Sequence, residues 1–331
     1  MMKKNTNLFV CPNSKELLFL ELTEPYDDAD IGYYVSENKT AKYPVKNHVA
    51  RFVPSKNYSE SFGLQWNLFR RTQLDSFSGI NASADRFWSA TGWSKDELRG
   101  KLVLDVGCGA GRFAEIALSA GAKVVAIDYS GSVDACYSNL GHDKNLTVVQ
   151  ADLYNLPFRD KTFDFIYSLG VLQHTPDVEK AFFSLQKLLK KEGKFCVDFY
   201  CKSWKSALHP KYWLRPITKR LPKLFILSAV RVLVPILYPI SSFLGKMFFG
   251  YYLKKLWPIA DPIYFYERQY GKTKLLKSDR IEWSILDTFD WLTPAFDNPQ
   301  TERTISNWMK KSKFSEYEVV HAGHLVARGT K

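Results

Sequence analysis

From about residue 101, hydrophobic residues form short continuous runs, and a polar or amphipathic segment separates each run from the next. Such runs predict buried strands, while the segments between them have helical periodicity and end in glycines. The predicted strands are 101–106, 122–130, 146–152, 163–170 and 194–200, and the predicted helices are 111–122, 132–141 and 178–193. Buried strands alternating with helices are typical of an α/β fold with a parallel sheet covered on both faces.

Near the C-terminus, the hydrophobic pattern no longer alternates single strands with helices. ERTISNWMKK (302–311) predicts a helix, and the next two apolar runs, YEVVHAG (317–323) and HLVARGT (324–330), lie close together in the chain. Runs separated so briefly are expected to pair as an antiparallel hairpin, here at one edge of the sheet.

Two segments do not show this alternation of predicted strands and helices. An aromatic-rich leader and cap occupies 1–99, and a basic, apolar, proline-punctuated helical insertion occupies 203–280. The α/β core is therefore predicted over 100–202 plus 281–331. A chain of 331 residues is long for one minimal domain, and its 46% hydrophobic and 24% charged composition excludes a disordered chain.

Charge is concentrated in the insertion. The net charge is +12, but residues 201–260 contain eleven basic residues and no acidic ones, which leaves 35 basic and 34 acidic residues elsewhere. Any anionic partner is expected to bind there. The eleven are Lys202, Lys205, Lys211, Arg215, Lys219, Arg220, Lys223, Arg231, Lys246, Lys254 and Lys255.

The stretch VLDVGCGAGRF (103–113) has three glycines, Gly107, Gly109 and Gly111, directly after a predicted strand. Their spacing, G-x-G-x-G, differs from the dinucleotide fingerprint, and the Lys-Ser/Thr of a P-loop is missing. Asp105 would repel a phosphate but would favour a cationic ligand. An oxidoreductase is accordingly the least favoured enzyme class.

Two further acids end the next two predicted strands. Asp128 lies where a carboxylate can accept the hydroxyls of a ribose, and Asp152 lies where an adenine amine is expected. Three carboxylates at the carboxyl ends of three strands predict a site for a positively charged nucleoside without phosphates.

These features together resemble class I S-adenosylmethionine (SAM)-dependent methyltransferases. VLDVGCGAGRF is similar to their first motif, and QADLYNLPFRDKTFDFIYSLGVLQHTPD (150–177) resembles the later motifs of the ubiquinone/menaquinone-biosynthesis type, methyltransferase type 11. The resemblance implies a Rossmann-like seven-stranded sheet, mostly parallel with a C-terminal antiparallel hairpin, and SAM as the cofactor. No metal is expected.

The resemblance also implies roles for individual residues. Asp105, Gly107, Gly109 and Gly111 would frame the amino-acid part of SAM, and Asp128 with Tyr129 would bind its ribose. Asp152 and Leu153 would face the adenine, and Ser168 and Leu169 would line the floor near the sulfonium. The alternative is that these are ordinary turn residues of an α/β sheet.

Methyl transfer from a sulfonium is an in-line displacement, so the protein mainly aligns the nucleophile and excludes water. A hydroxyl nucleophile also needs a base. His174 follows the fourth predicted strand on the ligand-binding edge, and it is the candidate base. The alternative is that His174 orients its loop through hydrogen bonds.

The leader contains LFVCPNSKELLFL (8–20) and KYPVKNHVARFVP (42–54), which resemble a zinc-ribbon leader. Ser14 replaces the second cysteine, and one thiolate cannot hold a structural zinc. We therefore expect a small β-rich leader without metal. No two of the five cysteines form a C-x-x-C pair and no signal peptide is apparent, so a cytoplasmic, reducing location is expected.

The segment 57–79 carries aromatic residues at helical spacing, which predicts a helix with one aromatic face. That face either belongs to the core or covers the cofactor as a lid. On the lid interpretation, Tyr58, Gln65 and Trp66 are candidate substrate or lid residues, and Thr72, Gln73 and Asp75 would line the same opening.

The insertion contains a run of 22 residues, LFILSAVRVLVPILYPISSFLG (224–245), with one charge, Arg231. Its length suffices to span a bilayer. Arg231, the interruptions at Pro235 and Pro239 and the position inside a soluble fold argue against a span. The interpretations left open are a substrate lid, a helix lying on an anionic membrane through 203–258, and nucleic-acid contact.

The sequence thus predicts SAM-dependent methyl transfer to a small-molecule or lipid-linked acceptor in a cytoplasmic enzyme, with membrane association as one of the open interpretations of the insertion. Two alternatives stay open: an RNA methyltransferase, and a catalytically silent SAM-binding module that acts at a membrane surface. The acceptor is not specified by the motifs, because pockets built from insertions vary freely on one fold.

Overall fold

The computed structural model describes residues 8–23, 31–54, 57–202 and 208–331. Its strands form one sheet, and its helices cover both faces. The strands are β1 Leu18–Leu22, β2 Gly32–Ser36, β3 Lys42–Lys46, β4 Val49–Arg51, β5 Leu102–Val106, β6 Lys123–Asp128, β7 Leu146–Gln150, β8 Phe163–Ser168, β9 Leu189–Phe199, β10 Glu316–Ala322 and β11 His324–Thr330. The helices are α1 Glu60–Leu68, α2 Asp75–Ser78, α3 Ala82–Thr91, α4 Lys95–Leu98, α5 Arg112–Ser119, α6 Ser132–Leu140, α7 Val178–Gln186, α8 Pro210–Thr218, α9 Lys223–Gly245, α10 Gly250–Lys255, α11 Pro262–Tyr270, α12 Lys277–Leu292 and α13 Glu302–Lys311.

The sheet order is β1-β2-β3-β4-β7-β6-β5-β8-β9-β11-β10. The seven strands from β7 to β10 confirm the predicted Rossmann-like sheet: β7, β6, β5, β8 and β9 are parallel, and β11 with β10 forms the antiparallel edge. The strand order reverses at β5, between β6 and β8. A ligand is therefore expected beyond the carboxyl ends of these three strands.

The leader extends this sheet. Strands β1 to β4 form an antiparallel meander, and β4 pairs in parallel with β7, so the sheet has eleven strands in the described residues where seven were predicted. Phe9, Tyr34 and Phe52 pack together and join the core through Phe158. The leader is β-rich as predicted, and its likeness to a zinc ribbon stays a prediction.

The helix predicted over 178–193 is too long. It ends at Gln186, and β9 begins at Leu189. A register shift in the β8–β9 pairing accommodates residues 190–193, and this irregular segment pairs with the C-terminal residue: Glu192 N donates to Lys331 O at 2.7 Å, and Lys331 N donates to Gly193 O at 3.0 Å. A contact with the far end of the chain decides this boundary, so local periodicity misplaced it.

The helix expected within 57–79 is also shorter, because α1 ends at Leu68 and a separate turn of helix, α2, follows. In contrast, Pro235 and Pro239 do not interrupt α9, which is continuous. Each proline deprives the carbonyl four residues earlier of its donor. Those carbonyls belong to Arg231 and Pro235, which are exposed, so the cost of the missing bonds is low.

Helices α8 to α12 form one packed unit beside the sheet. The inner face of α9, through Ile226, Val230 and Val234, packs in a shared core with Leu286 and Phe289 of α12. The boundary predicted at residue 280 falls inside α12, which runs from the insertion into the core. Helix α12 therefore joins the insertion to the ligand-binding edge of the sheet.

Candidate functional site

A cavity of about 730 Å³ opens at the carboxyl ends of β5, β6 and β8. Sheet loops form one side, and α1, the insertion and α12 form the other. This volume is within the range of small-molecule and cofactor sites, roughly 300–1,000 Å³.

The loop from β5 to α5 forms the inner wall. Gly107, Gly109 and Gly111 all have positive φ, at 79°, 53° and 93°. A Cβ atom on Gly109 would lie 3.2 Å from the ring of Trp66, and one on Gly111 would lie 2.7 Å from Leu140 Cδ1. The loop is therefore glycine-rich because its conformation is left-handed and its neighbours are close. Gly107 and Gly109 line the cavity, whereas Gly111 packs α5 against α6.

Asp128, at the end of β6, lines the cavity and faces this loop. Its Oδ2 accepts a hydrogen bond from the backbone N–H of Gly109 at 3.1 Å. Its Oδ1 accepts from the N–H and the hydroxyl of Ser130, each at 2.8 Å. The carboxylate is thus held in one orientation at the cavity surface, as a ribose-binding acid requires.

Asp105 lies beneath the glycine loop and does not line the cavity, contrary to the role first expected for it. Burial raises its pKa to about 8. Its Oδ2 is buried without a hydrogen-bond partner among the described residues. The buried hydroxyl of Tyr167 and the backbone N–H of Ala114 partly lower that raised pKa. Asp105 therefore supports the loop from behind.

The part of the cavity beside the glycine loop and Asp128 is called the cofactor half. Its outer end is aromatic. The Tyr58 and Tyr129 rings lie 5.0 Å apart, and Phe296 packs edge-on against Tyr58 at 5.3 Å. Leu153 lines the cavity next to them. Asp152 does not: its Oδ1 accepts from Tyr154 N at 2.9 Å and closes the turn after β7. Apolar and aromatic walls on this side suit a planar base.

The loop after β8 forms the floor. Ser168 is buried, and its hydroxyl donates to the carbonyl of Val106 at 3.0 Å, so it ties β8 to β5 outside the cavity. Leu169, Gly170 and Val171 are the residues that line it. Asp198 of β9 fixes this loop, since it accepts hydrogen bonds from Gly170 N at 2.5 Å and from Arg86 at 2.7 Å.

His174 ends a short 3-10 helix, Leu172–His174, and lines the cavity. Its Nδ1 is 2.9 Å from the carbonyl oxygen of Phe296, which can only accept, so Nδ1 carries the proton. Burial lowers the pKa of His174 below its usual range. A neutral ring with a free Nε2 lone pair is the form that a general base requires.

The candidate lid residues lie where the lid interpretation places them. Trp66 covers Gly109, and Gln65 is buried with its Nε2 3.3 Å from Asp290 Oδ1. Both line the cavity, as do Tyr58 and Gln73. Thr72 and Asp75 do not: Thr72 bonds Glu282, and Asp75 caps the start of α3 through Ser83 N and Ala84 N.

No pattern in the sequence indicated that the cavity has a second, polar half. Arg112 donates to Gln73 Oε1 at 2.6 Å, and Gln73 Nε2 donates to Asp287 Oδ1 at 3.1 Å, so the glycine loop and α12 are joined. Burial and the charge of Arg86 lower the pKa of Arg112 to about 10. Burial and the charge of Asp290 raise the pKa of Asp287 to about 7.

Residues of this second half come from distant parts of the chain, and no motif connects them. Side chains of the insertion complete the cavity opposite the sheet. The lining residues in this half include Arg86, Arg112, Tyr200, His209, Lys211, Tyr212, Lys255, Leu256, Phe265, Asp287, Asp290, Trp291 and His324. Such a lining suits a second ligand beside the cofactor.

The strand order, the glycine loop and the acid at the end of β6 define the class of SAM-dependent methyltransferases. Residues 104–197 match the family model described as a methyltransferase domain. This part of the chain is a SAM-dependent methyltransferase domain, with SAM as its cofactor.

Curated relatives share this region. The chain is 31% identical over 166 residues to a sterol 24-C-methyltransferase of Eremothecium gossypii, covering 49% of this chain and 44% of the relative. It is 33% identical over 122 residues to a demethylmenaquinone methyltransferase of Thermobifida fusca, covering 36% and 52%. The chain thus spans about half the length of these relatives.

Among solved structures, human N-acetylserotonin methyltransferase in complex with SAM aligns with a TM-score of 0.46 and 13% identity, over 84% of this chain and 60% of that chain. That likeness is too weak to indicate an activity. The roles of individual site residues therefore stay predictions.

Proposed function

We propose that this protein transfers a methyl group from SAM to a small-molecule or lipid-linked acceptor. The observation that carries the proposal is the continuity of the cavity. It runs from the glycine loop and Asp128 into a second half lined by Arg112, Asp287 and Asp290. Cofactor and acceptor can therefore occupy one enclosed space, as an in-line displacement requires.

SAM, when bound, supplies an activated methyl group on a sulfonium. The chain's own residues would orient SAM and the acceptor and would surround the reacting groups. Asp128, fixed by Gly109 and Ser130, would accept the ribose hydroxyls, and the Tyr58–Tyr129 wall would hold the base. Trp66 of α1 covers the glycine loop at Gly109. His174, with its proton on Nδ1, would accept a proton from the acceptor at Nε2.

The acceptor class is supported by the two relatives. Their names specify a sterol and demethylmenaquinone as substrates of those proteins, and both compounds are lipid-like. For this chain, the aromatic and apolar side chains that the insertion adds to the cavity support an organic acceptor.

Labelling tests the activity. The protein is incubated with methyl-labelled SAM and host extract, and the label is followed into lipid, small-molecule, RNA and protein fractions. Label in lipid or small molecules supports the proposal, and label only in RNA establishes the RNA alternative. If S-adenosylhomocysteine binds by calorimetry but no fraction is labelled, the chain is a silent SAM-binding module. Tight binding of NAD alone overturns the cofactor assignment.

We also propose that the insertion, over 203–258, contacts an anionic membrane surface and that the enzyme works in the cytoplasm at that surface. Helix α9 is long and apolar enough to cross a membrane, yet its inner face packs on α12, so it would lie in the interface instead. Three of the eleven basic residues, Lys211, Arg215 and Lys254, are buried in ion pairs with Asp297 or Asp261. Six others are exposed: Lys202, Lys219, Arg220, Arg231, Lys246 and Lys255.

Flotation with vesicles tests this contact. Wild-type protein is expected to float with vesicles that contain phosphatidylglycerol and to stay behind with phosphatidylcholine alone. The double variant Phe248→Ser/Phe249→Ser removes two exposed rings and is expected to lose flotation. A matched variant, Phe77→Ser, removes an exposed ring outside the insertion and should float normally. Failure of the wild type to float would refute the membrane contact.

A further inference from the structure

We propose that the acceptor is a membrane-resident amphiphile that enters the cavity directly from the lipid surface. The inference rests on the proposed function and specifies its substrate class. It follows from the juxtaposition of two features, the mouth of the cavity and an apolar outer surface of the insertion.

The outer surface lies on α9 and α10 and is called the α9–α10 outer face. On α9, Phe225, Val232, Ile236 and Phe243 follow each other at spacings of 7, 4 and 7 residues, which places them on one side of the helix. That side is opposite the buried face. The α9–α10 outer face consists of the exposed residues Phe225, Val232, Leu233, Ile236, Ile240, Phe243, Met247, Phe248, Phe249, Tyr252 and Leu256.

A helix that is apolar on both sides needs a second apolar neighbour. The charge around the α9–α10 outer face decides between a lipid surface and a second copy of this chain. Arg231, Lys246 and Lys255 are exposed there, and residues 201–260 include no acid. Two copies face to face would oppose like charges, whereas anionic headgroups supply the opposite charge. The favoured occupant is therefore an anionic membrane.

The mouth of the cavity belongs to the same surface. Lys255 and Leu256 line the cavity, and both are exposed. They follow Phe249 and Tyr252 along α10. A protein lying on a membrane through the α9–α10 outer face would thus place the cavity mouth at the lipid headgroups.

The cavity lining combines apolar surface with charged groups. Tyr212, Leu256, Phe265 and Trp291 supply apolar and aromatic surface, and the insertion also contributes Lys211 and Lys255. Next to the glycine loop and Gly170, Arg86, Arg112, Asp287 and Asp290 supply charge. This lining fits an amphiphile whose polar, reacting end lies at the charged groups beside the glycine loop and whose hydrocarbon part lies on the apolar surface and in the membrane.

Two substitutions separate entry from membrane binding. Leu256 and Leu233 are each 52% exposed on the α9–α10 outer face, but only Leu256 also lines the cavity. Leu256→Glu and Leu233→Glu should therefore weaken vesicle binding to a similar extent. Once excess phosphatidylglycerol vesicles bind all the protein, Leu256→Glu should still transfer methyl groups about tenfold more slowly than Leu233→Glu. Both variants should bind S-adenosylhomocysteine as the wild type does, which also verifies that they are folded.

The assay uses vesicles doped with host lipid extract and methyl-labelled SAM. If the acceptor enters from the membrane, diluting the extract with phosphatidylglycerol at constant bulk concentration slows labelling of lipid. The inference would be overturned if the rate of lipid labelling did not change on surface dilution. It would also be overturned if the two variants transferred methyl groups at equal rates on saturating vesicles. So would a dimer that Leu233→Glu dissociates. Label in water-soluble products alone refutes membrane entry but leaves the methyltransferase proposal standing, whereas no label anywhere refutes both.

Discussion

Gly107 and Val171 approach each other so closely that a Cβ atom on Gly107 would lie 2.4 Å from Cγ2 of Val171. The two residues follow adjacent strands, β5 and β8, at the point where the sheet order reverses. Both residues line the cavity. The first glycine of the motif is therefore required for packing as well as for its positive φ.

Gly107→Ala is expected to destabilise the protein by about 1–2 kcal/mol from the left-handed backbone and by about 1–3 kcal/mol more from overpacking. Gly100→Ala is the matched control, since Gly100 has a similar φ of 73° and nothing lies within 4 Å of its added Cβ. Urea unfolding measures both. The pair Gly107→Ala/Val171→Ala should recover only some of the overpacking part, because the Val171 Cβ would still lie 2.9 Å from the added Cβ. Equal losses for Gly100 and Gly107 would contradict the steric argument.

Asp128→Ala is expected to weaken S-adenosylhomocysteine binding by about 2 kcal/mol, roughly 30-fold, because charged hydrogen bonds to ribose hydroxyls are lost. Calorimetry measures the affinity. Asp143→Ala provides the control: Asp143 also closes a turn, accepting from Asn145 N at 2.8 Å, but it lies outside the cavity. Unchanged affinity in Asp128→Ala would remove this residue from the cofactor site.

The core of the fold could be predicted because its signals are local. Each strand is a short apolar run, and α5 and α6 end near Gly121 and Gly141, so the α/β class followed from local patterns. The seven-stranded sheet was implied by the resemblance to a known family. The leader's place in the sheet could not be predicted, because β4 pairs with β7 across about a hundred residues. The start of β9 was misplaced for the same reason, since Lys331 pairs with Glu192 and Gly193.

Some residues of the candidate site could likewise be predicted from local motifs, and others could not. Gly107, Gly109 and Asp128 belong to motifs, and the structure gathers them at one wall of the cavity. Ser168 and Asp152 also belong to these motifs, but their side chains form hydrogen bonds with backbone groups. The polar half joins α3, α5 and α12, and only tertiary packing brings these helices together.

The Asp198–Arg86 ion pair is expected to matter for stability. Asp198 is buried, and the charge of Arg86 holds the pKa of its carboxyl below the usual range against the effect of burial. Asp198→Ala would leave the Arg86 charge without its carboxylate partner and would lower the free energy of unfolding by about 3–5 kcal/mol. Asp96→Ala breaks an exposed pair with Arg99, at 89% and 75% exposure, and should cost less than about 1 kcal/mol. Similar losses in the two variants would show that the Asp198–Arg86 pair is not desolvated.

His324 is expected to make the protein sensitive to acid. Burial, together with the charge of Arg86, lowers its pKa to about 4, whereas the unfolded value is near 6.5. Between these values the unfolded chain binds the extra proton, so the stabilisation present above pH 6.5 is lost as the pH falls toward 4. The loss amounts to about 1.4 kcal/mol per pH unit in that window, and to about 3 kcal/mol in total.

Urea unfolding at pH 7, 6 and 5 measures this loss. His324→Asn should make this slope shallower by about 1.4 kcal/mol per pH unit. It should not abolish the slope, because His209, whose pKa is also lowered to about 4, keeps its own contribution. His142→Asn, at an exposed site, is the control. A slope as steep in His324→Asn as in the wild type would assign the acid sensitivity to other groups.

His174 provides the sharpest test of the chemistry. Because burial lowers its pKa, the ring is neutral at pH 7, and its Nδ1 proton is engaged by Phe296 O. If Nε2 removes the acceptor's proton, His174→Gln should lower kcat by about 10²–10⁴ without changing S-adenosylhomocysteine affinity. The wild-type rate should fall as the pH drops through the lowered pKa, and the variant should lose this acidic limb. His209→Gln is the control, since His209 also lines the cavity. Full turnover in His174→Gln would leave His174 with a structural role, holding the Phe296 segment over the cofactor half of the cavity.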